Sequence, residues 1–141
     1  MSPALSVSGL GLRRGGSTAL ADVSFPLEQG RAVAVLGPAG AGKTTLLRLV
    51  AGREAPDEGE IRLESILASR PGKILLPPRE RGLGLAPQGH SLWPHLDAFE
   101  NVAFPLRVRR VARGEIARRV LEMLESLGAA ILAEQKDQDG A

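Results

Sequence analysis

At 141 residues, with 43% hydrophobic and 24% charged residues, the chain has the make-up of a single globular domain with a real core. It contains no cysteine, which excludes a disulfide framework and a thiolate metal site, and its net charge of +2 is modest. No apolar run approaches the ~20 residues of a membrane span and Met1-Ser2-Pro3-Ala4 does not open a signal peptide, so a cytoplasmic location is expected.

Leu5 and Val7 predict a short first strand, and Val23, Phe25 and Leu27 alternate with polar or small residues as a half-buried strand does. Glu28-Gln29-Gly30 predicts a turn into the apolar run 32–36, read as a buried strand. Gly37-Pro38-Ala39-Gly40-Ala41-Gly42-Lys43-Thr44 then fits the phosphate-binding pattern G-x-x-x-x-G-K-[ST], with a helix predicted over 45–51. Gly52 is expected to end that helix, and Pro56-Asp57-Glu58-Gly59 to turn into a short strand at 60–63. Residues 70–81 read as a loop and 82–86 as a buried strand stopped by Pro87. Asp97 with Glu100 makes a capping box for a helix from 98 to about 104. The clearest helix is 115–127, with Ile116, Val120, Met123, Leu124 and Leu127 on one face and Gly128 at its end. Residues 134–141 are polar and are expected to form a disordered tail.

The phosphate loop has a direct chemical reading. Glycines at 37, 40 and 42 permit positive φ and a close approach of backbone to phosphate. Successive N–H groups from Gly37 through Thr45 would line one concavity, and the helix that follows adds its positive end. Lys43 would reach the outer phosphates, and the Thr44 hydroxyl would ligate Mg²⁺. A glycine-rich turn with an exposed lysine is the plainer alternative. The strand and helix predicted on either side argue against it.

Fifteen of the 18 basic residues are arginine, and Arg107, Arg109, Arg110, Arg113, Arg118 and Arg119 form a cluster. Such a cluster is able to meet nucleic acid or anionic lipid. No aromatic residue interleaves with it, so it reads as a solvated helical face and no nucleic-acid partner is expected. The two histidines, His90 and His95, lack a third ligand and read as surface residues.

With these motifs together, the chain resembles the nucleotide-binding subunits of ATP-binding cassette (ABC) transporters. The likeness rests on Ala19-Leu20-Ala21-Asp22-Val23-Ser24-Phe25 ahead of the loop, and on Leu46–Gly52 followed by Pro56–Ile61 after it. It continues through Leu76-Pro77-Pro78, Arg81, Gln88, Leu92-Trp93-Pro94-His95-Leu96 and Glu100-Asn101-Val102, and so spans roughly residues 5–128. The last stretch is similar to importers of polyamines, ferric iron, sulfate or sugars. The resemblance implies an α/β phosphate-loop NTPase fold, here its N-terminal half, with an antiparallel β region and the start of a helical subdomain after Gln88. Residues 1–133 would be a partial ATP-binding domain.

It also implies a role and a set of partners. The subunit would couple ATP binding and hydrolysis to import, docked on the inner face of the cell membrane. ATP and Mg²⁺ would be bound, with Gln88 completing the metal shell beside Thr44. A transmembrane permease subunit would dock near His90–His95, and a second ATP-binding subunit would pair with this one. Where the family has an aromatic residue to stack on adenine, the matching position is Arg14, whose guanidinium plane can also stack on a base.

After Gly128 nothing matches the family's signature loop, its aspartate–glutamate strand or its switch histidine. The chain alone is therefore expected to bind ATP without hydrolysing it well. It is also expected to be marginally folded unless another polypeptide supplies strands between those at 32–36 and 82–86. Two other readings stay open on the sequence: a non-hydrolytic nucleotide-binding module that assembles with or regulates another subunit, and a different phosphate-loop enzyme such as a small kinase or GTPase.

Overall fold

Gly15 and Gly16 hold φ of 53° and 82°, the left-handed pair that a tight hairpin with the right-handed strand twist demands. They join β1 (Leu5–Arg14) to β2 (Ser17–Leu27), with Arg14 opposite Ser17 and Leu5 opposite Leu27. The structure, a computed structural model, describes residues 3–89 and 92–128. Its chain forms two compact units, 1–85 and 86–141, and each is treated on its own below.

In the first unit β3 (Glu58–Leu63) pairs antiparallel with the free edge of β1. Next come β4 (Ile66–Arg70) and the two-residue β5 (Lys73–Ile74), giving the order β2-β1-β3-β4-β5. Because β2 and β3 each run antiparallel to β1, they are parallel to one another with β1 between them. Residues 28–57, which include α1 (Lys43–Val50), form the crossover between them. Leu46 and Leu49 of α1 are buried with Leu10, Leu12, Leu20 and Ile61 of the strands, so the crossover helix shares the sheet's core.

The second unit is a helical hairpin of α2 (Ala98–Val108) and α3 (Arg113–Ser126). Ala103, Ile116, Val120 and Leu124 form its buried centre. The antiparallel β region and the helical portion expected after Gln88 are thus both present. Among the described residues no helix is long and apolar enough to cross a membrane.

Several expectations are corrected. Residues 32–36 and 82–86 form no strand, and Leu36 is 90% exposed. An apolar run becomes a strand only where a neighbour supplies ladder hydrogen bonds, and no strand among the described residues flanks either run. The first strand continues well past Val7, through two glycines and several register shifts. The expected loop 70–81 contains the end of β4, β5 and a 3₁₀ turn at Pro78–Glu80. Helix α2 runs through Pro105 to Val108, since proline there forfeits only the one bond to the Asn101 carbonyl. The proposed tail, 134–141, lies outside the described residues.

Arg81 binds the pieces of the first unit to each other. It is only 6% exposed, yet among the described residues it meets no carboxylate. Nε donates to the Leu76 carbonyl at 2.9 Å. Nη1 donates to the carbonyls of Leu49 and Val50 at 3.3 and 2.7 Å. Nη2 donates to the Ala68 carbonyl at 3.1 Å and to Ser69 Oγ at 2.6 Å. Burial pushes the Arg81 pKa below the ordinary arginine value. A cation at these last carbonyls of α1 also meets the negative end of the helix. Gly52 leaves the room the guanidinium fills, for a Cβ there would stand 2.3 Å from Arg81 Nε.

Replacing Arg81 by methionine keeps the apolar stem and strands these oxygens, so Arg81→Met should cost about 3 kcal/mol of unfolding free energy. Urea titration measures this, and a loss under about 0.5 kcal/mol would contradict the assigned role.

On α3 the Glu115 carboxylate accepts from Arg118 Nε and Nη2 at 3.0 and 2.6 Å and from Arg119 Nε at 2.6 Å. The Arg118 and Arg119 guanidiniums lower its pKa from 4.5 to about 2. A depressed carboxylate pKa stabilises the folded state fully above the unfolded value, and the contribution fades as pH falls from about 4.5 to about 2. Ellipticity at 222 nm should therefore fall through that window, and less steeply in Glu115→Gln; equal slopes would show that the pairing does not support α3.

Candidate phosphate-binding site

The loop at 37–45 is built against β2. Gly42 has φ 84° and forms the N-cap of α1. A Cβ on it would lie 2.4 Å from the Ala19 carbonyl oxygen and 2.8 Å from Leu20 Cδ2. The position thus requires glycine for backbone angle and for space alike. Upstream, Ala41 N donates to the Pro38 carbonyl at 3.2 Å and closes a turn that contains Gly40 at φ 81°.

What α1 lacks at its start is informative. Its N-cap offers no side-chain acceptor and its first turn contains no acidic residue. Helix α2 shows the ordinary solution: Asp97 Oδ1 accepts from Glu100 N at 2.7 Å. Among the described residues no side chain caps the first N–H groups of α1, at Lys43, Thr44 and Thr45, and the positive helix end favours an anion there. Lys43 Nζ lies over the loop, donating to the carbonyls of Gly37 and Pro38 at 2.7 Å each, and an ammonium has a third N–H. Thr44 is exposed, whereas the Thr45 side chain is buried, so Thr45 can offer a ligand only its backbone. This donor set fits a polyphosphate.

The other two expected residues, Arg14 and Gln88, belong to different units of the chain. Arg14 ends β1 and is paired with Glu54: its Nε donates to Glu54 Oε1 at 3.2 Å and its Nη2 bonds Glu54 Oε2. The hydrogen bonds from Arg14 hold the Glu54 carboxyl below the usual range and raise Arg14 in turn. Arg48 Nε, in the last turn of α1, lies 3.6 Å from the same carboxylate. Arg14 is thereby drawn toward the C-terminal side of α1. Gln88 belongs to the second unit, exposed on a bend beside Gly89 at φ 113°. Among the described residues no group of three or more His, Cys, Asp or Glu is placed to hold a metal ion.

Residues 90 and 91 lie outside the described residues, and the chain around Trp93 in the expected docking stretch is held by Asn101. Its Nδ2 donates to the carbonyls of Leu96 and Asp97 at 2.9 Å each and of Trp93 at 3.2 Å, and its Oδ1 accepts from Trp93 N at 2.7 Å. The Trp93 ring packs on His95 and on Phe104, each at 5.9 Å between centroids. Asn101 and Arg81 are the residues whose work the sequence did not reveal; both appeared only as matched positions, and most of the Arg81 partners lie far off in sequence.

The family model described as ABC transporter matches residues 20–140. The chain belongs to the ABC transporter family. It is 40% identical over 123 residues to the trehalose/maltose import ATP-binding protein of Thermococcus litoralis, covering 86% of this chain and 33% of that protein. It is 44% identical over 119 residues to the molybdate/tungstate import ATP-binding protein of Thermococcus kodakarensis, covering 83% and 34%. To the spermidine/putrescine import ATP-binding protein of Rubrobacter xylanophilus it is 46% identical over 110 residues, covering 78% and 28%. The chain thus spans about a third of the length of these relatives.

Gly42→Ala, which drives a methyl into the β2 backbone, should lower unfolding free energy by about 2 kcal/mol in a urea titration. A loss under about 0.5 kcal/mol would mean that the loop backs away from β2 freely.

Proposed function

We propose that the chain is the ATP-binding portion of the energy-supplying subunit of an ABC importer. The observation that carries this reading is the uncapped start of α1 with Lys43 lying over the loop, in a chain of this family. The backbone of residues 37–45 would hold the triphosphate, and Lys43 would turn from its two carbonyl acceptors to the outer phosphates. The Thr44 hydroxyl would ligate Mg²⁺, which takes most of its remaining ligands from phosphate and water in sites of this kind. Gln88 would add a neutral carbonyl oxygen to that shell from the second unit. Arg14 would stack on the base with a face of its guanidinium, since the carboxylate of Glu54 meets only the edge.

Hydrolysis would require groups from elsewhere: a carboxylate to activate water, and a second ATP-binding subunit closing over the outer phosphate. A permease would dock at residues 92–95, where Leu92 is 69% and Trp93 51% exposed on a loop that Asn101 keeps in shape. The subunit would then work on the inner face of the membrane without spanning it, and no nucleic acid would be involved. The three relatives named above are called importers of a disaccharide, an oxyanion and a polyamine, so import is what they share and the cargo is not.

Mg-ATP at a hundredfold excess over Kd should stabilise the folded chain by about 2.7 kcal/mol, seen as a raised melting temperature. Lys43→Ala should abolish most of that shift. A melt indifferent to nucleotide, or a shift of equal size in the variant, would sink the proposal.

A further inference from the structure

Helix α1 is eight residues long, about 12 Å, and its two ends are served differently. The N-terminal end is bare of side-chain caps. At the other end the carbonyls of Leu49 and Val50 are taken by Arg81. A helix this short has little stability of its own, so whatever fixes one end restrains the other. The same guanidinium closes the turn at 76–81 through the Leu76 carbonyl. Inside that turn Glu80 N and Arg81 N donate to the carbonyls of Pro77 and Pro78 at 2.9 and 3.3 Å.

We infer that Arg81 is a positioning residue that couples occupancy of the phosphate loop to the order of the 76–81 turn, from which the chain leads on to Gln88. The inference rests on the nucleotide reading above. An anion at the start of α1 and a cation at its end both favour the same aligned, fully formed helix. Ordering by either lowers what the other must spend in entropy, and the coupling is reciprocal. A clamp that is only structural would hold the turn equally well with and without nucleotide. The guanidinium is suited to the task because its planar fork reaches five oxygens on three segments at once, which an ammonium cannot do.

The test is hydrogen exchange of the Leu76, Arg79, Glu80 and Arg81 amides in the full chain, with and without Mg-ATP, alongside calorimetric binding. Mg-ATP should slow exchange in the turn about tenfold, a coupling of ordinary size. The same response is expected in Ile61→Val, which trims the strand core and controls for lost stability. In Arg81→Lys the response should vanish while Mg-ATP still binds. In Ser69→Ala, which removes one acceptor of five, it should shrink to about threefold. A turn that ignores bound Mg-ATP in the unchanged chain overturns the inference, as does a response that persists in Arg81→Lys. A folded Arg81→Lys that no longer binds also overturns it, since Arg81 would then shape the loop and relay nothing. Should Arg81→Lys fail to fold, an undiminished response in Ser69→Ala decides against it. Absence of calorimetric binding in every form defeats the nucleotide reading, and this inference with it.

Discussion

A buried guanidinium surrounded by carbonyl and hydroxyl oxygens is the fixed point of the first unit. Arg81 takes its acceptors from the end of α1, from β4 and from the turn that leads to it. A buried charge without a counter-ion is costly unless its hydrogen-bonding capacity is met, and here backbone dipoles meet it. The arrangement depends on all three segments being in place together. That mutual dependence is what turns a short helix and a narrow sheet into one packed unit.

The phosphate loop depends on this anchoring because its own chemistry works against local stability. A helix beginning with glycine and lysine, with no capping side chain and no acid in the first turn, forgoes every usual aid at its start. The same omissions leave its N–H groups available to an anion. The site is therefore held from behind: by Leu46 and Leu49 in the sheet core, by Gly42 pressed on β2, and by Arg81 at the far end.

The parts legible in the sequence were those whose chemistry is written in adjacent residues. The phosphate loop needs its glycines, lysine and threonine in one run, and the Asp97 cap of α2 acts three residues away, so both could be read directly. The strand at β4 could not: its hairpin turn puts Glu64 at φ 51°, with none of the Asn-Gly or Gly-Gly pairs that mark such turns. The runs at 32–36 and 82–86 were misread because a strand is a property of two chain segments, and an apolar run describes only one. Met123 and Leu127 fit the helical period of a buried face, but periodicity says nothing about how wide the covering partner is. Arg81 and Asn101 are legible only in three dimensions, where their partners gather.

The crossover that holds the phosphate loop has a consequence for the order of events as the chain folds. The β1–β2 hairpin closes through two residues, Gly15 and Gly16, and a contact so local forms within about 1–10 μs. The other edge of β1 waits for β3, and residues 28–57 must be looped out before Gly11 can meet Glu58. Closing that longer loop costs entropy before any ladder bond repays it. The glycine-rich loop segment is thus the slack of the slow step, strung between an early hairpin and a late strand. It acquires its shape only when the sheet around it has zipped.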